Sequence, residues 1–390
     1  MFFCRMFINE MLLEAKHADC TVVSLRERVQ LLLLTVRNSS LSKNIKLFRP
    51  KESHSSYVSI VMPPTLKPET KQSTTGQFKP AIGPESVLIA IPTFQRSSRL
   101  RQILPHIVST LNSIHYVELL VIDNNFLPIE EKFVTSFIEK SPYPLHYIHE
   151  PRPGVSNARN AAIKFATSRF LAFLDDDMEI TENWIDGLVK VAVGHKAGIV
   201  FGPLIAKFAN EADPRNAYLS PFYMRNSKQT DEGISEDAFG TGGCLIDLQT
   251  CTLPSPPFDT RLNESGGEDD MFFEALHKEG ALYGWAPSAV CYECVPTERT
   301  TMKYIAKRNF GYGQGPSRIA ASKGISGSLE LARHMGVGLA QFFIFGSIFY
   351  LCRLLKRPSE VRYLALTARG LGKVFWFDRF KPKLYGGTPV

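Results

Sequence analysis

Three consecutive carboxylates, Asp175, Asp176 and Asp177, directly follow the apolar run 170–174 (FLAFL). A run of this length is typical of a buried strand, and a parallel strand covered on both faces fits it. Open α/β sheets bind ligands at the carboxyl ends of their strands, where these carboxylates would lie. Adjacent anions repel each other, and hard oxygen ligands suit Mg²⁺ or Mn²⁺. The triplet therefore predicts a divalent-cation site, and a solvated acidic turn that caps a helix beginning near Thr181 is the alternative.

Three apolar runs that precede the acidic triplet in the chain also predict strands, and polar residues follow each of them. Apolar runs at 87–91, 117–122 and 145–149 end in PTFQR, DNN and EPRPG, respectively. Apolar residues at helical spacing between 100 and 111 separate the first two runs. Alternating strands and helices predict an α/β fold with a mostly parallel sheet and helices on both faces. The carboxyl ends of the strands would form a nucleotide crevice at one edge of this sheet.

The order of these motifs resembles the family 2 glycosyltransferases with the GT-A (Rossmann-like) fold. The segment GTGGC at 240–244 is similar to the family's small-residue acceptor loop. FD at 258–259 and GGEDDMFF at 266–273 resemble its FD…GEDxxF segment. The likeness covers about residues 87–308. The likeness is strongest to bacterial transferases that build exopolysaccharide or lipid-linked repeat units. The segments that carry it are IPTFQR, PRPGVSNARN, FLDDDM and VPTERT.

The resemblance implies a nucleotide diphospho-sugar as donor, most often a uridine one. Asp175 and Asp177, as an Asp-x-Asp pair, would hold Mn²⁺ or Mg²⁺ at the diphosphate, with Asp177 the more direct ligand, and Asp176 would lie nearer the ribose. Asp123 would accept a hydrogen bond from the base ring, or else form a structural Asx turn. Arg159 would contact the nucleotide, or else form an ion pair on a helix surface. The end of the first strand would add further nucleotide contacts through Pro92, Thr93, Phe94 and Arg96.

The acceptor hydroxyl is a weak nucleophile and needs a base that takes its proton. The resemblance makes Asp269 that base, with Glu268 or Asp270 in support. It also places Asp270 on the acceptor side, together with Gly242 and Gly243. Because carboxylates are stabilised at a helix N-terminus by the dipole, simple capping is the alternative for the acidic pair. One base and one displacement would invert the anomeric carbon.

Two segments depart from the family pattern. Glu293 or Cys294 stands where related enzymes often carry a His or Glu near the metal, so a third metal ligand is an open question. Lys303, Lys307 and Arg308 follow on a predicted helix. They would meet the diphosphate, or else form a solvated or lipid-facing basic surface.

Composition and charge divide the chain into four segments. Its 390 residues are 44% hydrophobic and 21% charged, which is typical of a folding chain. Seven cysteines without a second zinc-type pair argue against a disulfide scaffold or structural zinc and fit a reducing cytoplasm. We predict an N-terminal extension at 1–62 (Met62 being an alternative start), a linker at 63–86, a catalytic domain at 87–298 and a C-terminal helical region at 299–390.

The C-terminal region is both basic and apolar. Residues 296–390 contain 16 Lys/Arg and 4 Asp/Glu, a net charge of +12 in a chain whose total is +7. The uncharged run 335–352 is at the lower limit for a membrane span. Because both of its flanks are basic, a re-entrant or interfacial segment fits better than a simple crossing. Residues 364–377 predict a second interfacial helix, and a helical cap buried on the catalytic domain is the alternative.

These observations predict a metal-dependent inverting glycosyltransferase at the cytoplasmic face of the inner (plasma) membrane, peripheral or monotopic. Its partners would be a nucleotide sugar, by default a UDP-hexose, and a saccharide acceptor, which the membrane location suggests is lipid-linked. A sugar nucleotidyltransferase is a rival, but PTFQRSSR lacks the glycines of a phosphate loop. A second rival function is that of a non-catalytic, membrane-associated binding protein with the same fold. Nucleic-acid binding is not expected, because the basic region is interleaved with a long apolar run.

Overall fold

The computed structural model describes residues 85–263 and 266–382. The predicted N-terminal extension and the part of the linker before residue 85 lie outside these residues. The described chain belongs to one compact unit, 79–390. The predicted division at residue 298 therefore remains a prediction.

One large sheet forms the centre of the molecule. Its strands are β1 (Val87–Thr93), β2 (Val117–Asp123), β3 (Leu145–His149), β4 (Phe170–Phe173), β6 (Ile199–Phe201), β8 (Gly233–Ser235), β9 (Cys244–Asp247) and β10 (Tyr283–Trp285). Their order is β3-β2-β1-β4-β9-β6-β10-β8. The first four strands are parallel to one another, whereas β9 runs antiparallel to β4 and β6, and β8 antiparallel to β10. The mostly parallel sheet is confirmed.

Helices cover both faces of this sheet. They are α1 (Ser97–Thr110), α2 (Glu131–Ile138), α3 (Val155–Phe165), α4 (Trp184–His195) and α6 (Glu268–Lys278). The short helix α5 (Asn216–Leu219) lies between α4 and α6 in the chain and contributes to neither core of the sheet. Successive strand residues point to opposite faces. Ile89 therefore packs in one core with α1, α2 and α4, and its neighbour Ala90 packs in a second core with α3 and α6. The predicted three-layer arrangement is confirmed.

A second, smaller sheet was not predicted. It contains β5 (Met178–Ile180), β11 (Cys291–Val295) and β7 (Leu204–Phe208) in the order β5-β11-β7. Because β5 begins directly after the acidic triplet, the alternative of a solvated turn that caps a helix is wrong. Its pairing with β11 sets Glu293 opposite Met178 and so brings Glu293 close to Asp177.

Three long helices form the C-terminal region: α7 (Met302–Ser322), α8 (Ser328–Leu354) and α9 (Glu360–Val374). The apolar run 335–352 lies entirely inside α8, which is unbroken. The chain then returns in α9, antiparallel to α8, with Gly338 against the carbonyl of Gly370 and Arg353 paired with Glu360. Among the described residues, one helical segment, Gly324–Leu354, is long and apolar enough to cross a membrane.

The prediction of a second interfacial helix is wrong in one respect, because α9 buries its apolar side against protein. Val361 and Leu364 are fully buried, and Ser317 of α7 donates a hydrogen bond to the carbonyl of Lys373. The outer side of α8 is different, since Phe343 and Leu354 are 66% and 68% exposed. The apolar surface available to a membrane therefore belongs to α8.

Candidate active site

Asp176 is bound by the end of β1 and the start of α1. The Thr93 hydroxyl and one Arg96 nitrogen each donate to an Asp176 carboxylate oxygen at 2.8 Å. Burial raises the pKa of Asp176 to about 6, and Arg96 opposes this shift. Pro92 and Phe94, half-buried on either side of Thr93, lie at the same strand end. The four residues predicted from the first strand are thus close to the acidic triplet.

Two arginines meet on Asp177. Its Oδ2 atom lies 3.1 Å from an Arg96 nitrogen and 3.0 Å from an Arg299 nitrogen. Arg299 also pairs with Glu293 at 3.2 Å. Burial, and then the charge of Asp177, raise the pKa of Glu293 to about 7. The side chain of Cys294 instead interacts with Glu179, so Glu293 is the member of the predicted pair that faces this site.

Sequence reasoning missed Arg299 as a site residue. It lies in the VPTERT segment after β11, where its type alone does not distinguish a site arginine from a surface one. Only the pairing of β11 with β5 brings the segment to the acidic triplet. Lys303, Lys307 and Arg308 follow in α7, and Arg308 stacks over Tyr223 at 4.9 Å. Their contact with a diphosphate remains a prediction.

A single glycine-rich loop lies against both predicted reaction partners. A Cβ atom placed on Gly242 would lie 2.6 Å from Oδ2 of Asp175, and one on Gly240 would lie 3.0 Å from Oδ2 of Asp269. Both glycines therefore allow the carboxylates a close approach that a side chain would block. The structure brings the acidic triplet, the loop and the start of α6 together, and their roles in the reaction remain predictions.

Arg159 forms a buried ion pair with Glu268. One of its terminal nitrogens lies 2.6 Å from Glu268 Oε1, and the side chains are 7% and 6% exposed. The guanidinium carbon lies 5.5 Å from the centre of the Phe258 ring. Two buried atoms of the pair, Arg159 Nε and Glu268 Oε2, have no hydrogen-bond partner within the described chain. Arg159 thus pairs inside the protein rather than on a helix surface, and its predicted nucleotide contact stays a prediction.

Asp123 forms the Asx turn that was the structural alternative. Its Oδ1 accepts hydrogen bonds from the backbone and side-chain N–H groups of Asn125, at 3.1 and 2.7 Å. Its Oδ2 accepts from the Glu130 N–H and from the Tyr147 hydroxyl, both at 2.9 Å. A carboxylate has about four acceptor positions, and all are occupied here. A bond to a nucleotide base, which remains a prediction, requires one of these donors to move.

The remaining predicted residues lie at the edge of the same region. Gly243 has φ = 72° and donates its N–H to the carbonyl of Phe173 at 2.7 Å. Asp269 is half-buried at the first turn of α6, and the backbone N–H of the exposed Asp270 donates to its Oδ1 at 3.1 Å. A helix-capping role and a catalytic role would both place Asp269 at this first turn, and the hydrogen bond from Asp270 fits either role.

Arg225 holds the glycine loop in place and was not predicted. Its three guanidinium nitrogens donate to the carbonyls of Gly202, Gly240 and Gly243 at 2.9, 3.0 and 3.3 Å. Burial lowers its pKa. The residue lies in the stretch between β7 and β8, which carries no recognisable motif, so sequence gave no signal for it. It acts as a positioning residue for the loop.

Arg225→Lys is expected to lower the free energy of unfolding by about 1.5–3 kcal/mol, because one ammonium cannot reach three carbonyls and at least one charge-assisted hydrogen bond is lost. Chemical denaturation would measure the change, with the exposed Arg333→Lys as the matched control. Equal stability of the two variants would show that the loop does not depend on the guanidinium.

The donor set at the triplet fits a divalent cation in type. The Asp175 carboxylate accepts no hydrogen bond from the described residues, and burial raises its pKa, against the opposing charge of Arg159. Carboxylate oxygens are hard ligands that suit Mg²⁺, which is bound in proteins by one or two carboxylates together with substrate phosphates and water. No group of three or more His, Cys, Asp or Glu within the described ranges forms a complete protein cage. Arg96 and Arg299 must share Asp177 with any such ion.

The fold and the site define an α/β protein with a carboxylate-lined crevice, and comparisons with known proteins give its family. A model described as "Glycosyl transferase family 2" matches residues 88–246. The succinoglycan biosynthesis protein ExoM of Rhizobium meliloti (strain 1021) is 30% identical over 232 residues, which are 56% of this chain and 72% of that protein. The chain therefore belongs to glycosyltransferase family 2, as the order of its motifs predicted.

This chain matches a smaller share of the length of the other similar proteins. The minor teichoic acid biosynthesis protein GgaB of Bacillus subtilis (strain 168) is 22% identical over 225 residues, 57% of this chain and 24% of that protein. Among solved structures, S. aureus TarS (1-349) has a TM-score of 0.41 and 14% identity, covering 58% of this chain and 65% of that one. GalNAc-T7 with UDP, GalNAc and Mn²⁺ has a TM-score of 0.42 and 15% identity, covering 60% and 50%.

Proposed function

We propose that this chain is an inverting glycosyltransferase that moves a sugar from a nucleotide diphospho-sugar, by default a UDP-hexose, to a saccharide acceptor carried on a lipid. Its process would be exopolysaccharide or related cell-surface glycan synthesis, as the name of its R. meliloti relative suggests. The observation that carries the proposal is the close approach of Asp175 and Asp269 to one loop, 240–243. That arrangement places a candidate metal ligand and a candidate base near two glycines of the same loop.

On the donor side, negative charge develops on the diphosphate as the glycosidic bond breaks. Asp175 and Asp177 are the ligands we assign to Mn²⁺ or Mg²⁺, which as a bound Lewis acid would stabilise that charge. Arg96 and Arg299 supply two further positive groups beside Asp177. Fixed cations aimed at developing charge lower the barrier without reorganising during the reaction.

On the acceptor side, Asp269 would take the proton of the attacking hydroxyl. It lies at the first turn of α6, where the helix dipole favours a negative charge. Glu268 is neutralised by Arg159 and is not free to act as a second base. A single base and no assigned nucleophile favour one displacement, which inverts the anomeric carbon.

The apolar surface of α8 supports a location on a membrane. Its exposed side chains include Phe343 and Leu354, and the surrounding chain is basic. Because nucleotide sugars are cytosolic, we assign the protein to the cytoplasmic face of the inner (plasma) membrane, where a lipid-linked acceptor would be within reach.

A donor hydrolysis screen tests this function. The full chain in detergent is incubated with UDP-, GDP- and dTDP-sugars, with Mn²⁺, Mg²⁺ or EDTA, and nucleoside diphosphate release is recorded. We expect metal-dependent release from one donor, lowered about 10²-fold in Asp177→Ala through loss of Lewis-acid stabilisation. Asp231→Ala, at an exposed carboxylate outside the site, should leave release unchanged. No release from any donor, even with membrane lipid extract as acceptor source, would favour the non-catalytic binding protein.

A further inference from the structure

A basic cleft lies between the catalytic domain and the C-terminal helices. It has a volume of about 460 Å³ and is open to solvent. One wall comes from the segment after β7, and the other from the turn that joins α8 to α9. Its charged lining residues are Asp213, Arg215, Arg353, Lys356, Arg357 and Glu360. Nothing in the reaction proposed above uses this cleft.

Two of the four basic residues in the cleft are neutralised locally. Arg215 forms a paired contact with Asp213, at 3.0 Å and 2.6 Å, and Arg353 lies 3.4 Å from Glu360. The other two, Lys356 and Arg357, are exposed and form no ion pair with any described residue. The cleft therefore carries a net charge of about +2, which favours an anionic ligand.

Lys356 occupies a position where glycine is usual. It follows the end of α8 with φ = 51°, in the left-handed region that helix C-termini normally fill with glycine. A lysine there has a conformational cost, because its Cβ approaches the backbone. The same location aims a flexible cation at the cleft mouth. Lys196 ends α4 in the same conformation, with φ = 54°, so the turn alone accommodates a lysine and the cleft charge is the feature that favours a ligand.

The chemistry next to the cleft identifies the ligand. At the end of α8 and directly after it, Leu351, Leu354 and Leu355 are 53%, 68% and 56% exposed. A free phosphate would gain nothing from exposed leucines. A phospholipid would use both features, because its acyl chains cover apolar side chains while its phosphate meets basic ones.

We propose that this cleft binds the phosphate of an anionic lipid headgroup in a bilayer, with Lys356 and Arg357 as its contacts and the leucines of α8 among the acyl chains. The proposal rests on the membrane location proposed above and adds the lipid class and the site. Binding here would also orient the catalytic crevice. The cleft segment leads through α5 to Tyr223, whose hydroxyl donates to the carbonyl of Arg299 at 2.6 Å.

Vesicle co-sedimentation of the full chain tests the proposal. Vesicles of phosphatidylcholine alone are compared with vesicles that also contain phosphatidylglycerol, for wild type and for the double variant Lys356→Gln/Arg357→Gln. We expect the double variant to partition about 30-fold less onto anionic vesicles, from about 1 kcal/mol per basic residue near the surface. Its binding to neutral vesicles should equal that of wild type. Its nucleoside diphosphate release in detergent should also be unchanged.

The matched control is Lys132→Gln/Lys140→Gln, which removes the same charge from exposed positions on and just after α2. The proposed lipid site is overturned if both double variants lose vesicle binding equally. It is also overturned if the wild type binds neutral and anionic vesicles equally. Absence of binding to either vesicle overturns the membrane location as well, but leaves the transferase activity to the donor assay.

Discussion

Asp269→Asn is expected to lower the rate of sugar transfer by about 10²–10⁴-fold, which is the usual contribution of a positioned general base. The amide has the same shape but cannot accept the proton of the acceptor hydroxyl. The first turn of α6 should remain intact, because a carboxamide oxygen can still accept the hydrogen bond that the N–H of Asp270 donates to Asp269 at 3.1 Å. The donor KM should therefore change little while kcat falls.

The measurement is product formation with a membrane lipid extract as acceptor source, next to donor hydrolysis in its absence. Glu274→Gln is the matched control, since it makes the same chemical change on the exposed side of the same helix. It loses only an i,i+4 pair with Lys278, worth about 0.3–0.5 kcal/mol. Full transfer by Asp269→Asn would place the base elsewhere. A raised donor KM with unchanged kcat would make Asp269 a binding group.

The part of the site that could be predicted depends on strand ends and helix starts. Asp175, Thr93 and Asp269 each stand at the boundary of an element whose apolar pattern is visible in the sequence. Parallel strands bring their carboxyl ends to one edge, so the meeting of these residues follows from the fold class. Asp175 and Asp269 closely approach the loop 240–243, which agrees with the small residues in its sequence.

The part that could not be predicted depends on contacts between distant segments. Arg299 reaches Asp177 because β11 pairs with β5, and these strands are more than a hundred residues apart in the chain. Arg225 lies in a stretch of sequence without a recognisable motif, yet it donates hydrogen bonds to three glycine carbonyls. The sequence records that an arginine is present, but its partner is decided by tertiary packing.

The C-terminal helices show the same limit for apolar surfaces. An amphipathic pattern states that one side of a helix is covered, but not by what. In α9 the cover is protein, since Val361 and Leu364 are buried against neighbouring helices. In α8 the apolar residues extend around the helix and leave Phe343 and Leu354 exposed, without a cover among the described residues. The distinction needed the packing of all three helices.

Arg159→Met is expected to lower the free energy of unfolding by about 3–5 kcal/mol, because it leaves the buried carboxylate of Glu268 without its counter-charge. The side chains of the pair are 7% and 6% exposed, so water cannot replace the lost partner. Burial already raises the pKa of Glu268 even with Arg159 present. Without Arg159 the carboxyl group should take up a proton more readily still.

Arg261→Met is the control for this effect, since Arg261 pairs with Asp259 at 2.6 Å but is 86% exposed. An exposed pair contributes little to stability, because solvent screens its charges. The double variant Arg159→Met/Glu268→Met removes both charges and keeps much of the packing against Phe258. It should be more stable than Arg159→Met alone, because well-packed apolar side chains replace a buried pair at little cost. Denaturant midpoints of the four proteins would measure these differences. If Arg159→Met were no less stable than Arg261→Met, the pair would not stabilise α6, and Arg159 would be available for the nucleotide contact predicted from the sequence.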